Sequence, residues 1–457
     1  MVRISTTVRT LCAAVLVLAL LIAGCGSKSS SQTFVGSNVV SINPVELLAD
    51  ITASIEQPIT RALDGWDWTS FISNFGSLLI NFSNTIEMRK VTYQSTGADG
   101  QLHSMTGLLI LPKAIFGGKP SVPILMYQHG TEVYRPFSPS QYLSHRGKPT
   151  DYPEVMVAAA IAATGYAVAL VDYEGMGDNT NSQPHVVGEV LAQQVIDLLR
   201  SSRDIIARTG SPCTWNNQLF LMGYSEGGYV TMAATRELQL NHAAEFTVTA
   251  SAPLSGPHDL SGVMREVILS DNTFKSPYFV PMILTSYNYA YGGQTALFDP
   301  FTAMIAPYNT TIPPLFNGNF QSDTISEAMG MNFTTPTLIV PKSVLSQGFI
   351  DLLTDTTSPV VALLKENDSY RLPGELDSAW VPTVPLRMIH HLDDELVPFA
   401  NSQAAFEAFI NAGSVTVSLV AEDAVINVST NPVKTVHVGS AFPELLRGWE
   451  WLDGFKQ

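Results

Sequence analysis

The feature that most constrains this chain is Leu221-Met222-Gly223-Tyr224-Ser225-Glu226-Gly227-Gly228, set between an apolar stretch of strand length and a helical pattern over Gly227 to Leu238. A chain that passes from strand to helix in so few residues turns sharply. The turn forces the central Ser toward positive φ and brings the residues two before and two after it so close that only glycine fits. Gly223 and Gly227 meet that demand. Such a turn lifts the Ser225 hydroxyl above a sheet and aims a helix N-terminus, with its free N–H groups, at the same point. The pattern therefore points to an α/β architecture and to a reactive serine.

The flanking sequence extends the same architecture. Val91 to Ser95 and Thr106 to Leu111 read as a hairpin around Gly97-Ala98-Asp99-Gly100. Strands are then expected at Val122 to Gln128, Ala167 to Asp172, Gln218 to Gly223 and Phe246 to Ala252, alternating with helices at Tyr152 to Thr164, Val187 to Ala207 and Gly227 to Leu238. Near-continuous apolar strands between amphipathic helices indicate a parallel sheet covered on both faces. The alternation stops near Gly256 and resumes with strand Val384 to His390, helix Ser402 to Ala412, strand Val415 to Val420 and helix Phe442 to Phe455. Residues 257–383 are too many for a loop and are read as an inserted cap. From Lys275 to Asp323 the only charge between the ends is Asp299. Tyr278, Phe279, Met282, Tyr287, Tyr289, Tyr291, Phe298, Phe301, Met304 and Phe316 crowd the same stretch. They form the core of the cap, and a subset is expected to line an apolar substrate pocket.

The N-terminus carries Arg3 and Arg9, an apolar run from Leu11 to Ala23, and then Gly24-Cys25 before a Ser-rich stretch. The run is short for a membrane span and has the basic flank of an export signal. Ile22-Ala23-Gly24-Cys25 resembles the lipobox of bacterial lipoproteins, which implies lipidation of Cys25, a signal peptide over 1–24 and a tether over 25–45 leading from the bacterial cell envelope membrane. The chain is 46% hydrophobic and 14% charged, which excludes general disorder. Its formal net charge of −16 argues against nucleic acid as a partner. With Cys12 in the signal and Cys25 lipidated, Cys213 has no partner, so neither a disulfide framework nor a thiolate metal site is available. No nucleotide loop or metal-ligand spacing is present either. No cofactor, metal or obligate protein partner is expected.

A serine hydroxyl needs a base, and the base an orienting acid. Of the nine His, only His437 follows the last predicted strand, in a loop ahead of the C-terminal helix. The strand Val384 to His390 runs into His391-Leu392-Asp393-Asp394-Glu395-Leu396-Val397-Pro398, where Asp394 lies four residues past His390 and four before Pro398. The candidate acids are Asp394, with Asp393, Glu395 and, more remotely, Asp259 as alternates; the choice of Asp394 is what the resemblance given below implies. Oxyanion donors are expected at the Glu226 N–H and, from the loop Gln128-His129-Gly130-Thr131, at Thr131, with Gly130 as runner-up. His129 is read as fixing that loop, and Asp172 to Asp178 as a structural turn.

Gly223 to Gly228, His129-Gly130, Asp172 to Gly177, Asp394 to Pro398 and His437 together resemble the α/β-hydrolase superfamily over about residues 90–457. The Asp394 motif departs from H-G-x-x-D-x-x-V-P by carrying His391 in place of Gly. Gly107-Leu108-Leu109 running to Pro112, Asp172-Tyr173-Glu174-Gly175 and Trp380-Val381-Pro382 are similar to the secretory lipases of the yeast lipase A type and their bacterial relatives. The resemblance implies a mostly parallel eight-stranded sheet with helices on both faces, in two core parts (46–256 and 384–457) around the cap. It also implies hydrolysis of carboxylic esters, lipid esters included, through an acyl-enzyme. Two other functions are open at this point. Prolyl-type serine peptidases share the elbow but add a propeller or a terminal β domain, for which residues 33–90 and the short stretch after His437 leave no room. A non-catalytic binding lipoprotein would keep the fold without the chemistry, against which all three triad positions are filled.

Overall fold

The computed structural model describes residues 39–55, 66–80, 84–144, 148–332, 337–426 and 435–457. The expected signal peptide, Cys25 and most of the expected tether lie outside the described residues. Eleven strands are described. In chain order they are β1 (Val39–Ile42), β2 (Asn84–Thr96), β3 (Leu102–Ala114), β4 (Ser121–Gln128), β5 (Ala167–Val171), β6 (Thr214–Tyr224), β7 (Ala250–Leu254), a small hairpin β8 (Arg371–Leu372) and β9 (Glu375–Ala379), β10 (Leu386–His391) and β11 (Val417–Glu422). All but the hairpin form one sheet in the order β1-β2-β3-β5-β4-β6-β7-β10-β11. From β5 to β11 every neighbouring pair is parallel, while β1, β2 and β3 add antiparallel at one edge. The sheet thus has nine strands where eight were expected. The extra one, β1, falls within the stretch read as tether and pairs Val39 to Ile42 with Arg89 to Ile86.

Helices of eight or more residues are α1 (Pro44–Ile55), α2 (Trp68–Ile80), α3 (Pro153–Ala163), α4 (Gly188–Ile206), α5 (Glu226–Asn241), α6 (Phe279–Tyr291), α7 (Gln347–Thr354), α8 (Pro359–Glu366), α9 (Ala400–Asn411) and α10 (Val436–Asp453). Alternate residues of the buried strands feed two cores. Ile124 and Met126 of β4 join Leu191, Val195 and Leu198 of α4 and Val230 and Ala233 of α5. Leu125 and Tyr127 turn the other way, onto α2, α3 and α10. After Glu154, helix α3 is apolar on every face because it is enclosed on every face: Val155 through Ala163 are all buried. Phe71 and Phe75 of α2 pack edge-on against Phe442 of α10. Each such side chain contributes roughly 1.5–3 kcal/mol by leaving water, so α2 clamps the helix that carries His437.

Between β7 and β10 the chain is mostly helical. Short helical turns, α6, α7 and α8 pack their apolar residues onto the α4–α5 face: Tyr287, Phe298, Met304, Phe349 and Leu364 belong to the same core as α4 and α5. Among the described residues no helix is long and apolar enough to cross a membrane.

Candidate active site

The site lies at the C-terminal ends of β4, β6 and β10, where open α/β sheets bind their ligands. β4 changes the direction of strand order, and its pairing with β6 sets Gln128 opposite Gly223. The elbow is fixed by its backbone. Ser225 has φ 62° and ψ −124°, a region that costs on the order of 1–3 kcal/mol and persists only where the surroundings impose it. Here Ser225 N–H donates to the Leu254 carbonyl of β7 at 3.0 Å, and Tyr229 N–H closes the first helical turn on the Ser225 carbonyl at 3.1 Å. A Cβ on Gly223 or Gly227 would collide with the Gln128 carbonyl oxygen, and one on Gly228 with that of Leu254.

The structure brings Ser225, His437 and Asp394 together. His437 Nδ1 lies 2.5 Å from Asp394 Oδ2, and its Nε2 lies 2.8 Å from Ser225 Oγ. A carboxylate oxygen can only accept, so Nδ1 carries the proton and Nε2 is left to accept from the serine. Asp394 Oδ1 accepts from Leu396 N–H (3.0 Å) and Val397 N–H (2.8 Å). Burial would raise this carboxyl. The charge of His437 and hydrogen bonds from His390 and His437 overcome that and hold it well below the usual carboxylate range. Of the alternates, Asp393 is exposed. Glu395 accepts from Val436 N–H (2.9 Å) and Lys275 Nζ (3.0 Å). Asp259 caps a helical turn through Val263 N–H and accepts from the Tyr370 hydroxyl.

His437 differs in setting from the sequence expectation: it stands in the first turn of α10, not in a loop ahead of it. Thr435 starts that helix early by accepting Val438 N–H on its side chain at 3.0 Å. The Tyr224 hydroxyl donates to the His437 carbonyl at 2.5 Å, tying His437 to the residue before Ser225.

Glu226 is the first residue of α5, and Thr131 lies beside Ser225 in the cavities described below. The runner-up donor, Gly130 N–H, is engaged by the Glu154 carboxylate at 3.0 Å, which also receives the Tyr127 hydroxyl at 3.1 Å. His129 Nδ1–H donates to the Gly130 carbonyl at 2.6 Å, with its ring against Tyr173. Asp172 accepts from Ser140 N–H and Thr106 Oγ1 in the turn after β5. Sequence reasoning missed Glu154, which looks like any acid in a first helical turn, and His185. His185 Nδ1 lies 2.8 Å from the buried Glu226 carboxylate. Burial would lift Glu226; the nearby charge of His185 pulls it below its ordinary value.

Residues 143–289 match the family model described as secretory lipase. No curated protein matches this chain. Among solved structures, the rice cell wall degrading esterase LipA from Xanthomonas oryzae is similar at 24% identity, over 92% of this chain and 98% of that one, with a TM-score of 0.71. Candida antarctica lipase A in its closed state is similar at 15% identity, over 76% of this chain and 74% of that one, with a TM-score of 0.56. The chain has the α/β-hydrolase fold, and a third of it matches the secretory lipase model.

Two spaces meet at Ser225. One is an open cleft of about 980 Å³ whose walls include Trp66, Tyr152, Glu154, Tyr278, Thr435 and His437. The other, about 610 Å³, starts at Ser225, Thr131 and Glu226 and runs among Leu260, Met264, Ile268, Phe279 and Ile283. A third cavity of about 450 Å³ shares Val186, Leu260, Met264, Ile268, Val280 and Ile283 with the second and ends on Tyr287, Phe298, Phe349 and Leu364. Of the cap residues singled out in the sequence, Tyr278, Phe279, Tyr287 and Phe298 therefore face these spaces. Tyr289 instead donates its hydroxyl to Glu174, and Phe301 is exposed. Among the described residues one trio, Asp99, His103 and Glu174, has ligand atoms close enough for a metal ion. Ala98 N–H, Asn181 and Tyr289 already occupy the Glu174 carboxylate.

Proposed function

We propose that this protein is a carboxylic ester hydrolase that works by acyl transfer through Ser225, His437 and Asp394. The observation that carries the reading is the unbroken line of contacts from Asp394 through His437 to Ser225 at the mouth of an apolar cavity. His437 Nε2 takes the hydroxyl proton as Ser225 Oγ attacks the ester carbonyl. The tetrahedral oxyanion is met by the N–H groups of Glu226 and Thr131, and Asp394 stabilises the charged imidazole. His437 then gives the proton to the departing alkoxide, and water removes the acyl group by the same route.

This proton transfer orients the substrate. The leaving oxygen must lie on the side of His437, which lines the open cleft and is absent, among the described residues, from the apolar cavity. The alkoxy arm therefore occupies the cleft and the acyl arm the apolar space under residues 257–383, which act as the cap. Each methylene buried there contributes about 0.8 kcal/mol until the space is full, so medium acyl chains are the preferred substrates. Export and anchoring through a lipidated Cys25 at the bacterial envelope complete the reading; two or three acyl chains hold a protein at a membrane where one does not.

Fluorophosphonate labelling followed by mapping of the modified residue tests the mechanism. The label should sit on Ser225, and Ser225→Ala should lower turnover by about 10³-fold or more with little change in Tm. Labelling elsewhere, or a variant that keeps much of its activity, would overturn it. Across p-nitrophenyl esters kcat/KM should rise from acetate toward octanoate. In a bacterial host, Cys25→Ser should release the protein from membranes; equal partitioning of wild type and variant would remove the anchor.

A further inference from the structure

His390, the fifth residue of β10, is fully buried, and hydrogen bonds fix its ring at both nitrogens. Nε2 lies 2.7 Å from the Val397 carbonyl, which can only accept, so Nε2 carries a proton. Nδ1 lies 2.8 Å from Ser402 Oγ, which can then donate. The Phe399 ring stands edge-on to it at 5.8 Å. The same Nε2 is 3.4 Å from Asp394 Oδ2, the oxygen that receives His437 Nδ1. One carboxylate oxygen thus faces two imidazoles, and the mechanism above uses only one of them.

The other titratable groups near this point leave His390 as the second imidazole beside that oxygen. His258, at the end of the β7 side, is turned to Ser369 Oγ at 2.8 Å, and burial together with His390 pushes it down to about 3. Asp259, whose backbone N–H meets Asn401, directs its carboxylate at Val263 and Tyr370. From α10, Glu444 accepts from the Ser255 hydroxyl, and burial raises its carboxyl well above the ordinary range. From β6, Tyr224 is committed to the His437 carbonyl and Ser440.

We propose that His390 is a positioning residue for the acid. With Ser402 setting its tautomer, His390 donates its Nε2–H to the Val397 carbonyl, which fixes the loop whose Leu396 and Val397 N–H groups hold Asp394 in line with His437; the positive edge of the same ring, 3.4 Å from Asp394 Oδ2, withdraws part of the carboxylate's charge from the base. The inference rests on reading Asp394 as the acid of the triad. Without the His390 N–H the carboxylate becomes more basic and favours the charged form of His437, so the acid limb of kcat/KM moves to higher pH.

The test uses the full-length protein and p-nitrophenyl butyrate. His390→Leu should lower kcat about 10-fold with KM within about 2-fold, and should raise the midpoint of the acid limb by about 0.5 pH unit. His390→Gln, whose amide N–H can reach the same acceptors, should recover most of both changes. Ser402→Ala should move both quantities in the same direction by less, and it decides the matter with His390→Gln if His390→Leu fails to fold. An acid limb that stays in place in every folded variant, whatever the change in Tm, overturns the proposal. So does a kcat loss that His390→Gln does not recover. Asp394→Ala, measured in parallel, separates the two readings: full activity there removes the triad assignment itself, whereas loss there with no effect at His390 removes only this inference.

Discussion

Ser225 and Asp394 stand just past the ends of strands β6 and β10, one strand apart in the same sheet, yet they are held by different means. At Ser225 the constraint is the backbone itself. Gly223, Gly227 and Gly228 press against carbonyl groups of β4 and β7, and a strained φ is locked by two backbone hydrogen bonds. At Asp394 the constraint is a set of polar contacts. Two loop N–H groups and two imidazoles surround the carboxylate, and neighbouring Glu395 reaches the first N–H of the helix that carries His437. A site fixed by sterics fails all at once when one atom is added. A site fixed by several polar contacts can lose one and keep its shape.

The largest effect is expected at the elbow. Gly227→Ala adds a methyl group where the Gln128 carbonyl already stands, and no flexible side chain is there to yield. Overpacking of this kind costs about 3 kcal/mol or more, so esterase activity should vanish and Tm should fall together. Activity retained in Gly227→Ala would mean that the elbow can relax, and the contrast with the acid loop would be lost. On the acid side Asp394→Asn should lower kcat by about 10³-fold to 10⁴-fold, since an amide can present its N–H₂ to His437 and favour the wrong tautomer. Tm should change far less than in Gly227→Ala. Asp393→Asn, at an exposed position, should change kcat by less than about 2-fold; the reverse order of these two variants would move the acid by one residue.

The same contrast explains what could be read from the sequence. The elbow is legible because only glycine satisfies its steric demand, and the parallel strands are legible because burial on both faces demands apolar runs such as Val122 to Met126. The acid loop is less so: His391 stands where the motif has Gly, and several neighbouring acids leave the register open until Asp394 is seen turned inward and Asp393 outward. The start of α10 was set too late because Val436-His437-Val438-Gly439 are poor helix formers; the Thr435 cap and the Glu395 carboxylate at Val436 N–H supply what propensity lacks. Strand β1 was missed because a four-residue edge strand beside a Ser-rich stretch carries little pattern. Within residues 257–383, charge and aromatic content mark an apolar interior, but the division between residues that face the cavities and residues that pack against one another is set by tertiary packing.

The smallest effect should come from the contact that joins Asp394 and His437 through their neighbours. Glu395 receives Val436 N–H at 2.9 and 3.1 Å and pairs with Lys275 at 3.0 Å, linking the acid loop, the N-terminus of α10 and the segment that leads into α6. A carboxylate at a helix N-terminus is favourable by a few tenths of a kcal/mol to about 1 kcal/mol, and a partly exposed ion pair adds little more. Glu395→Gln keeps an oxygen for Val436 N–H and loses the charge. Stability should therefore fall by no more than about 1 kcal/mol, and kcat by about 2-fold to 5-fold through a looser approach of His437 to Asp394. Since salt screens the charge that the substitution removes, the gap between variant and wild type should narrow as ionic strength rises. Thermal melts and kcat measured at low and high salt check both points. A salt-independent kcat loss approaching that of Asp394→Asn would show that the acid loop is as intolerant as the elbow, and that its polar contacts act as a single unit and not as separable supports.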